Sequence, residues 1–351
     1  MLVAGTLLAG LGLILLSLTH SYLLFLLVFI GPLSFGFQAG FNQATLAVVA
    51  HWFRRKRGLA MAIVQTGQAI GGVLIFPLVA LAVLKLGWRT AAVLSGLVVL
   101  TLLPLVLFIR RSPESMGLLP DGDRSPAQGR HASPSGLTPP LDDTREFTTR
   151  EALRTPTFWL LAAFHGLRNV PYAGVTVHLV PLLVWKGLDE PAAAFYVGLT
   201  ALATVVSRPL TGWLGDRQSK QMIGAVGVLL GAAGLAVLAY GDGAWWALVL
   251  FAVLFSFGDG VNSVTWALVG DVFGRAHFAT IRGWISMFQS FASMPAAVYT
   301  GWVYDRTQSY TQALIAFVIC YGAAAIVLWL VPDPTRPAPV AVAASRSLSA
   351  S

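Results

Sequence analysis

Charge is scarce in this chain. Of its 351 residues only 11% are Asp, Glu, Lys or Arg, and 56% are apolar; a soluble domain is about a quarter charged. The chain has one cysteine, Cys320, so no internal disulfide can form. Neither it nor the six histidines fall at metal-ligand spacing, so there is no candidate metal, cofactor or catalytic set. No G-x-x-x-x-G-K-[ST] run appears, which argues against ATP as an energy source on this chain. Residues 1–19 are apolar but lack the basic leading region and cleavage site of a secretory peptide.

What remains is hydrophobic. A mean hydropathy of +0.73 is more apolar surface than a soluble fold can hide, so part of the solvent is lipid. In lipid every backbone amide must be bonded internally, by helices or a closed barrel. The apolar runs are too long and too solid for barrel strands, which alternate. About 20 helical residues cross a bilayer, and ten runs of that kind are expected at 2–18, 21–50, 58–84, 90–109, 157–185, 192–214, 221–240, 244–270, 281–304 and 311–331. The fold class is an all-α polytopic membrane bundle. Its expected organisation is an N-terminal half over 1–109, a linker over 110–156, a C-terminal half over 157–331 and a disordered tail over 332–351. The linker's middle, 121–143, is rich in Pro, Ser and Gly and is expected to be mobile. Thr148 and Glu151 have capping-box spacing and predict a short helix before Phe158.

Charge sets the orientation. If the linker is cytoplasmic, loops on its side hold 17 of the 23 Lys and Arg. The opposite loops hold Lys85, Arg89, Lys186 and Arg306. Arg282, at the edge of the ninth span, is counted with the linker-side loop 271–282, and Arg168 and Arg208 lie well inside spans. This follows the positive-inside rule. The net charge of +8 is therefore read as a membrane-orientation signal, not as nucleic-acid binding. It implies a plasma (cell inner) membrane protein with both termini cytoplasmic.

An internal repeat is present. Gly40-Phe41-Asn42-Gln43-Ala44-Thr45 and Gly260-Val261-Asn262-Ser263-Val264-Thr265 both read G-x-N-x-x-T, 220 positions apart, and Phe53 and Phe273 keep that offset. Ser34-Phe35-Gly36 recurs as Ser256-Phe257-Gly258, and Arg57-Gly58 as Arg282-Gly283. The second span then matches the eighth, which is the fourth of its half. That register predicts a twelve-span architecture of two six-span halves, with two spans expected before residue 1. Such parallel repeats are a transporter signature.

The halves and linker resemble the major facilitator superfamily, and within it the monocarboxylate and oxalate/formate porter branch. The residues that carry the likeness are WFRRKRGLA (52–60), GWR (87–89), PESMGLLPDG (113–122), EALRTPTFWLL (151–161), HLVPLL (178–183) and SRPLTGWLGDR (207–217). The first-half signature loop and the first helix of the family have no counterpart here. The third span has Gly67, Gly71 and Gly72 but not the Gly-Pro pair of drug/proton antiporters. Arg208-Pro209 matches the intramembrane Arg-Pro of the monocarboxylate carriers, which implies a carboxylate-binding role for Arg208. Thr204 stands one turn earlier, where some members have aspartate. GWLGDR (212–217) resembles the second-half copy of the superfamily's signature loop, so Gly212, Asp216 and Arg217 are expected to hold the cytoplasmic side shut.

Charges among spans cost roughly 2.5–3.5 kcal/mol each on the insertion scale, so each needs a reason. A guanidinium fork fits a carboxylate. Arg208 either contacts substrate or snorkels and pairs with Asp216. Arg168, with Asn169 and Tyr172 on one face, either joins the site or pairs with a neighbouring span. Asp259 shares a face with Asn262 and Trp266; it either carries a proton, partners one of the arginines or caps a helix. His178 is a proton relay or a hydrated tip. Gln38 and Asn42 are expected to line a watery cavity. The combined reading is a secondary carrier of a small organic anion such as a monocarboxylate, working by alternating access in the bilayer and coupled to protons. The alternatives are a transport-inactive fragment of such a carrier, or an intramembrane enzyme or receptor.

Overall fold

Long apolar runs broken by short Gly-, Pro- and charge-bearing loops produce helices and little else. The computed structural model describes residues 1–110, 112–116, 118, 120–122 and 146–332. The linker middle and the tail, apart from residues 121, 122 and 332, lie outside the described residues. Among the described residues there is no β-strand, and ten long helical rods run in order. They are α1 Leu2–Ser17, α2 Tyr22–Trp52, α3 Arg57–Leu86, α4 Trp88–Phe108, α5 Pro156–Trp185, α6 Glu190–Arg217, α7 Lys220–Tyr240, α8 Trp245–Phe273, α9 Phe278–Thr307 and α10 Thr311–Trp329. By length and composition alone, α2, α4, α6, α7, α8 and α10 can cross a membrane.

Local chemistry starts and stops these rods. Thr155, Asp189 and Ser219 cap α5, α6 and α7, each side chain accepting a backbone N–H of the first turn. The short helix Thr149–Leu153 has the full capping box of Thr148 and Glu151. Gly87, at φ 80°, reverses the chain between α3 and α4. In α2, Pro32 removes one backbone donor, and the rod winds as π-helix over Phe29–Leu33 and Gly36–Ala44.

The first four helices pack among themselves, as do the last six. In the first group α1 lies against α2 and α4, and Gly5 and Gly40 meet backbone to backbone, where a Cβ on either would overlap the other. In the second, α5 lies between α9 and α10, and α7 between α8 and α10. The outer surface is apolar: Leu23, Leu74, Leu78, Leu84, Phe291 and Met294 are all exposed, as a lipid-facing surface requires.

The groups meet where α3 packs on α6 and α8. The hydrogen bonds across this seam gather toward the linker side, at residues 42–65 of the first group. Asp216 accepts the backbone N–H groups of Gly58 and Leu59, each at 2.8 Å. Arg57 pairs with Asp271 at 2.7 Å, and Arg275 reaches the His51 carbonyl at 3.2 Å. Linker carboxylates hold both repeat-related loops: Asp121 accepts from the Arg54 and Arg55 amides, Glu146 from the Arg275 and Ala276 amides. The linker side is thus closed.

Candidate functional site

Three charges meet in the middle of the bundle. Arg168 lies on α5 three residues before Pro171, Arg208 on α6 directly before Pro209, and Asp259 on α8 among Gly258 and Gly260. The small residues let neighbouring helices, α6 at Gly260 and α7 at Gly258, approach the α8 backbone. A Cβ on Gly260 would sit 2.8 Å from Ser207 Oγ, and one on Gly258 would sit 3.1 Å from the Gly231 Cα.

Asp259 is held from both sides. Its Oδ1 accepts from Arg168 Nη2 at 3.1 Å, and its Oδ2 accepts from Arg208 Nε at 3.1 Å and Nη2 at 2.7 Å. Arg168 also donates from Nε to the Gly258 carbonyl at 3.1 Å, from Nη2 to the Asp259 carbonyl at 3.0 Å and from Nη1 to Asn262 Oδ1 at 3.2 Å. Arg208 Nη1 donates to the Gln65 carbonyl at 2.6 Å, and Asn262 Nδ2 to Gln65 Oε1 at 2.9 Å. The cluster therefore spans the seam, since Gln65 belongs to α3. The side chains of Arg168, Asp259 and Arg208 are 2%, 7% and 13% exposed. Two guanidinium groups and one carboxylate leave a surplus positive charge there, and an isolated buried charge is strongly disfavoured unless an anion joins it. Tyr172, one turn beyond Arg168 on α5, is half-buried.

Other candidates fall elsewhere. Asn42 Nδ2 donates to Gln38 Oε1 at 3.1 Å, and Asn42 Oδ1 accepts from Arg282 Nη2 at 3.2 Å, so both α2 residues belong to a second polar cluster. His178 sits toward the other end of α5, with Nε2 3.0 Å from the Ala297 carbonyl, against Tyr310. Gly212 packs on α3, where a Cβ would meet Gly58 O and Ala62 Cβ at 2.8 Å. Asp216 reaches α3, but Arg217 lies over the Trp213 ring of its own helix at 3.9 Å and does not cross. Arg208 is joined to Asp259, not to Asp216.

Several residues escaped the sequence reading. Arg282 counts with the linker-side loop charges in the Lys and Arg balance, yet it is buried within α9. Arg57 belongs by sequence to the orienting basic loop and to the repeat; it is in addition buried and paired to Asp271 across the seam. Gln65, which with Gln68 forms a polar stripe on the third span, meets Asn262 through its side chain, but its bond to Arg208 is through the backbone carbonyl, for which no side-chain pattern gives a signal. The repeat did hold one clue: Asn42 and Asn262, 220 apart, each bridge to the opposite group.

Comparison with known proteins agrees with this architecture. The Major Facilitator Superfamily pattern matches residues 1–297. Monocarboxylate transporter 12 of Xenopus laevis is 26% identical over 326 residues, covering 90% of this chain and 70% of that protein. Monocarboxylate transporter 6 of Homo sapiens is 25% identical, covering 88% of this chain and 61% of that protein. Among solved structures, FucP in the outward conformation aligns with a TM-score of 0.69 at 16% identity, over 94% of this chain and 82% of that one. The human organic anion transporter MFSD10 aligns at 0.67 and 15%, over 93% and 76%. These two show the fold alone. By sequence and fold together, this chain belongs to the Major Facilitator Superfamily, a family of membrane transporters and not of enzymes.

Proposed function

We propose that the chain carries a small organic anion, a monocarboxylate by chemical class, across a cell membrane by alternating access with proton coupling. The single observation that carries this reading is the buried Arg168–Asp259–Arg208 cluster, in which two cations share one carboxylate. Relatives named as monocarboxylate transporters support the substrate class.

The chemistry is a competition. Asp259 occupies one fork of Arg208 and one N–H of Arg168. A substrate carboxylate can take the same donors bidentately, and it does so without an extra buried negative charge if Asp259 takes up a proton. Anion and proton then travel together. The closed linker side, held by Asp216 on the Gly58 and Leu59 amides, leaves the site to be approached from the opposite side in this state. Under this reading the linker side is cytoplasmic, as the Lys and Arg distribution requires. Gly212 and Asp216 form the closure, and Asn262 relays the state of the site to α3 through Gln65.

The test is uptake of radiolabelled propionate, lactate and pyruvate into proteoliposomes under an imposed proton gradient. Arg208→Gln removes the guanidinium fork, and hydrogen bonds to charged groups contribute about 1.5–3 kcal/mol. The variant is expected to need roughly 10- to 150-fold more substrate. Undiminished uptake by Arg208→Gln removes Arg208 from the anion site.

A further inference from the structure

A second buried cation lies on the linker side of the central cluster. Arg282 on α9 is 4% exposed and has no carboxylate partner among the described residues. Its guanidinium donates to amide oxygens of α2, to Gln43 Oε1, Asn42 Oδ1 and the Asn42 carbonyl, and its Nε has no partner. It lies over the Trp266 ring, with Cζ 4.6 Å from the centroid. The His165 ring stacks on the same indole at 4.0 Å, is fully buried, and has both ring nitrogens unpartnered. Gln289 Oε1, two turns along α9 from Arg282, is also without a partner.

This is an unusual set of groups to leave unsatisfied. Buried polar atoms are nearly always bonded, and a buried cation is normally neutralised. The amides that occupy Arg282 belong to the opposite helix group, across the seam that must part when the linker side opens. Opening removes Asn42 and Gln43 and leaves a guanidinium, an imidazole and an indole face around one polar space. Trp266 is seven residues from Asp259 on the same face of α8, which places this space about 10 Å further toward the linker.

We infer that Arg282, His165 and Trp266 form a second anion station, which takes a small carboxylate on the linker side of the central cluster when the two helix groups separate there. Arg282 supplies the charge and the fork, His165 an N–H donor, and Trp266 a flat apolar wall for the carboxylate's carbon end. In the closed state Asn42 and Gln43 occupy the station, so the seam and the ligand compete for the same donors. The inference rests on the transporter reading only for the opening of the seam; the station's own residues are not those of the central site.

Trp266 is a reporter inside the proposed station. Purified full-length protein in lipid nanodiscs is titrated with sodium propionate while tryptophan emission is followed, and the difference from Trp266→Phe isolates the Trp266 component. That component is expected to change with propionate in the wild type and in Arg208→Gln. Arg282→Gln is expected to raise the half-saturating concentration about tenfold or more, the loss of a charge-assisted bond. Arg282→Lys keeps the charge without the fork and should fall between, which guards against misfolding of the glutamine variant. A Trp266 component indifferent to propionate, or one that titrates alike in wild type and both Arg282 variants, overturns the station; so does its complete loss in Arg208→Gln. An Arg282-dependent signal beside propionate uptake that survives Arg208→Gln would instead sink the central site and keep the station.

Discussion

Asp216 is where the closure can be weakened most selectively. Its two oxygens accept the first backbone N–H groups of α3 at 2.8 Å each, groups that no residue of α3 itself can bond. Each bond to an ionised acceptor contributes about 1.5–3 kcal/mol, and the positive end of α3 adds about 0.3–1 kcal/mol. Asp216 is only half-buried, so solvent discounts both terms. Asp216→Asn keeps one neutral acceptor and points an amide N–H₂ at the other donor. The net loss is about 2 kcal/mol, which shifts the open-to-closed ratio on the linker side about 30-fold. The assay is bimane on a cysteine at Gln218, quenched by a tryptophan placed at Lys56, with Cys320 replaced by alanine. Gln218 lies two residues beyond Asp216 and Lys56 two residues before Gly58, the pair joined across the seam at this contact, so emission reports opening. Asp216→Asn should relieve the quenching with no change in the quenched limit. Quenching identical to that of the parent would show that the Asp216 bonds do not hold the seam.

Gly212→Val should act in the same direction, because even a Cβ there meets Gly58 O and Ala62 Cβ at 2.8 Å; overpacking of this kind costs about 1–3 kcal/mol, and the same bimane pair reads it. Arg168→Ala strips the Gly258 and Asp259 carbonyls, Asp259 Oδ1 and Asn262 of a shared donor. Asp259 keeps its pair with Arg208, so the cost is that of buried acceptors left short of a donor, about 1–3 kcal/mol each. It should show as a lower Tm in detergent, and an unchanged Tm would contradict a structural share for Arg168.

The rods were legible in the sequence to within about three residues, because hydropathy and turn chemistry act locally. The capping box at Thr148 and the break at Gly87 belong to the same class of signal. So does the costliness of Arg168, Arg208 and Asp259, since an ionised group in an apolar run stands out whatever it touches. What the sequence left open was partnership. Arg208 had two possible acids, Asp216 eight residues along its own helix and Asp259 on another, and only the packing of α6 against α8 decides between them. Arg282 was misplaced for a related reason. It lies near the start of an apolar run beside a basic loop, where a linear reading counts it with the loop, while α2 folds over it and buries it. Backbone acceptors such as the Gln65 and Gly258 carbonyls leave no side-chain trace.

The central claim is that Asp259 and a carried carboxylate compete for the same two arginines. Asp259→Asn removes the competitor and the proton carrier together. The measurement is propionate handling by Asp259→Asn in proteoliposomes, with and without an imposed proton gradient. The account predicts tighter propionate binding and intact exchange down a propionate gradient, with proton-driven accumulation lost. Accumulation at the wild-type level, or weaker binding with coupling preserved, would contradict it.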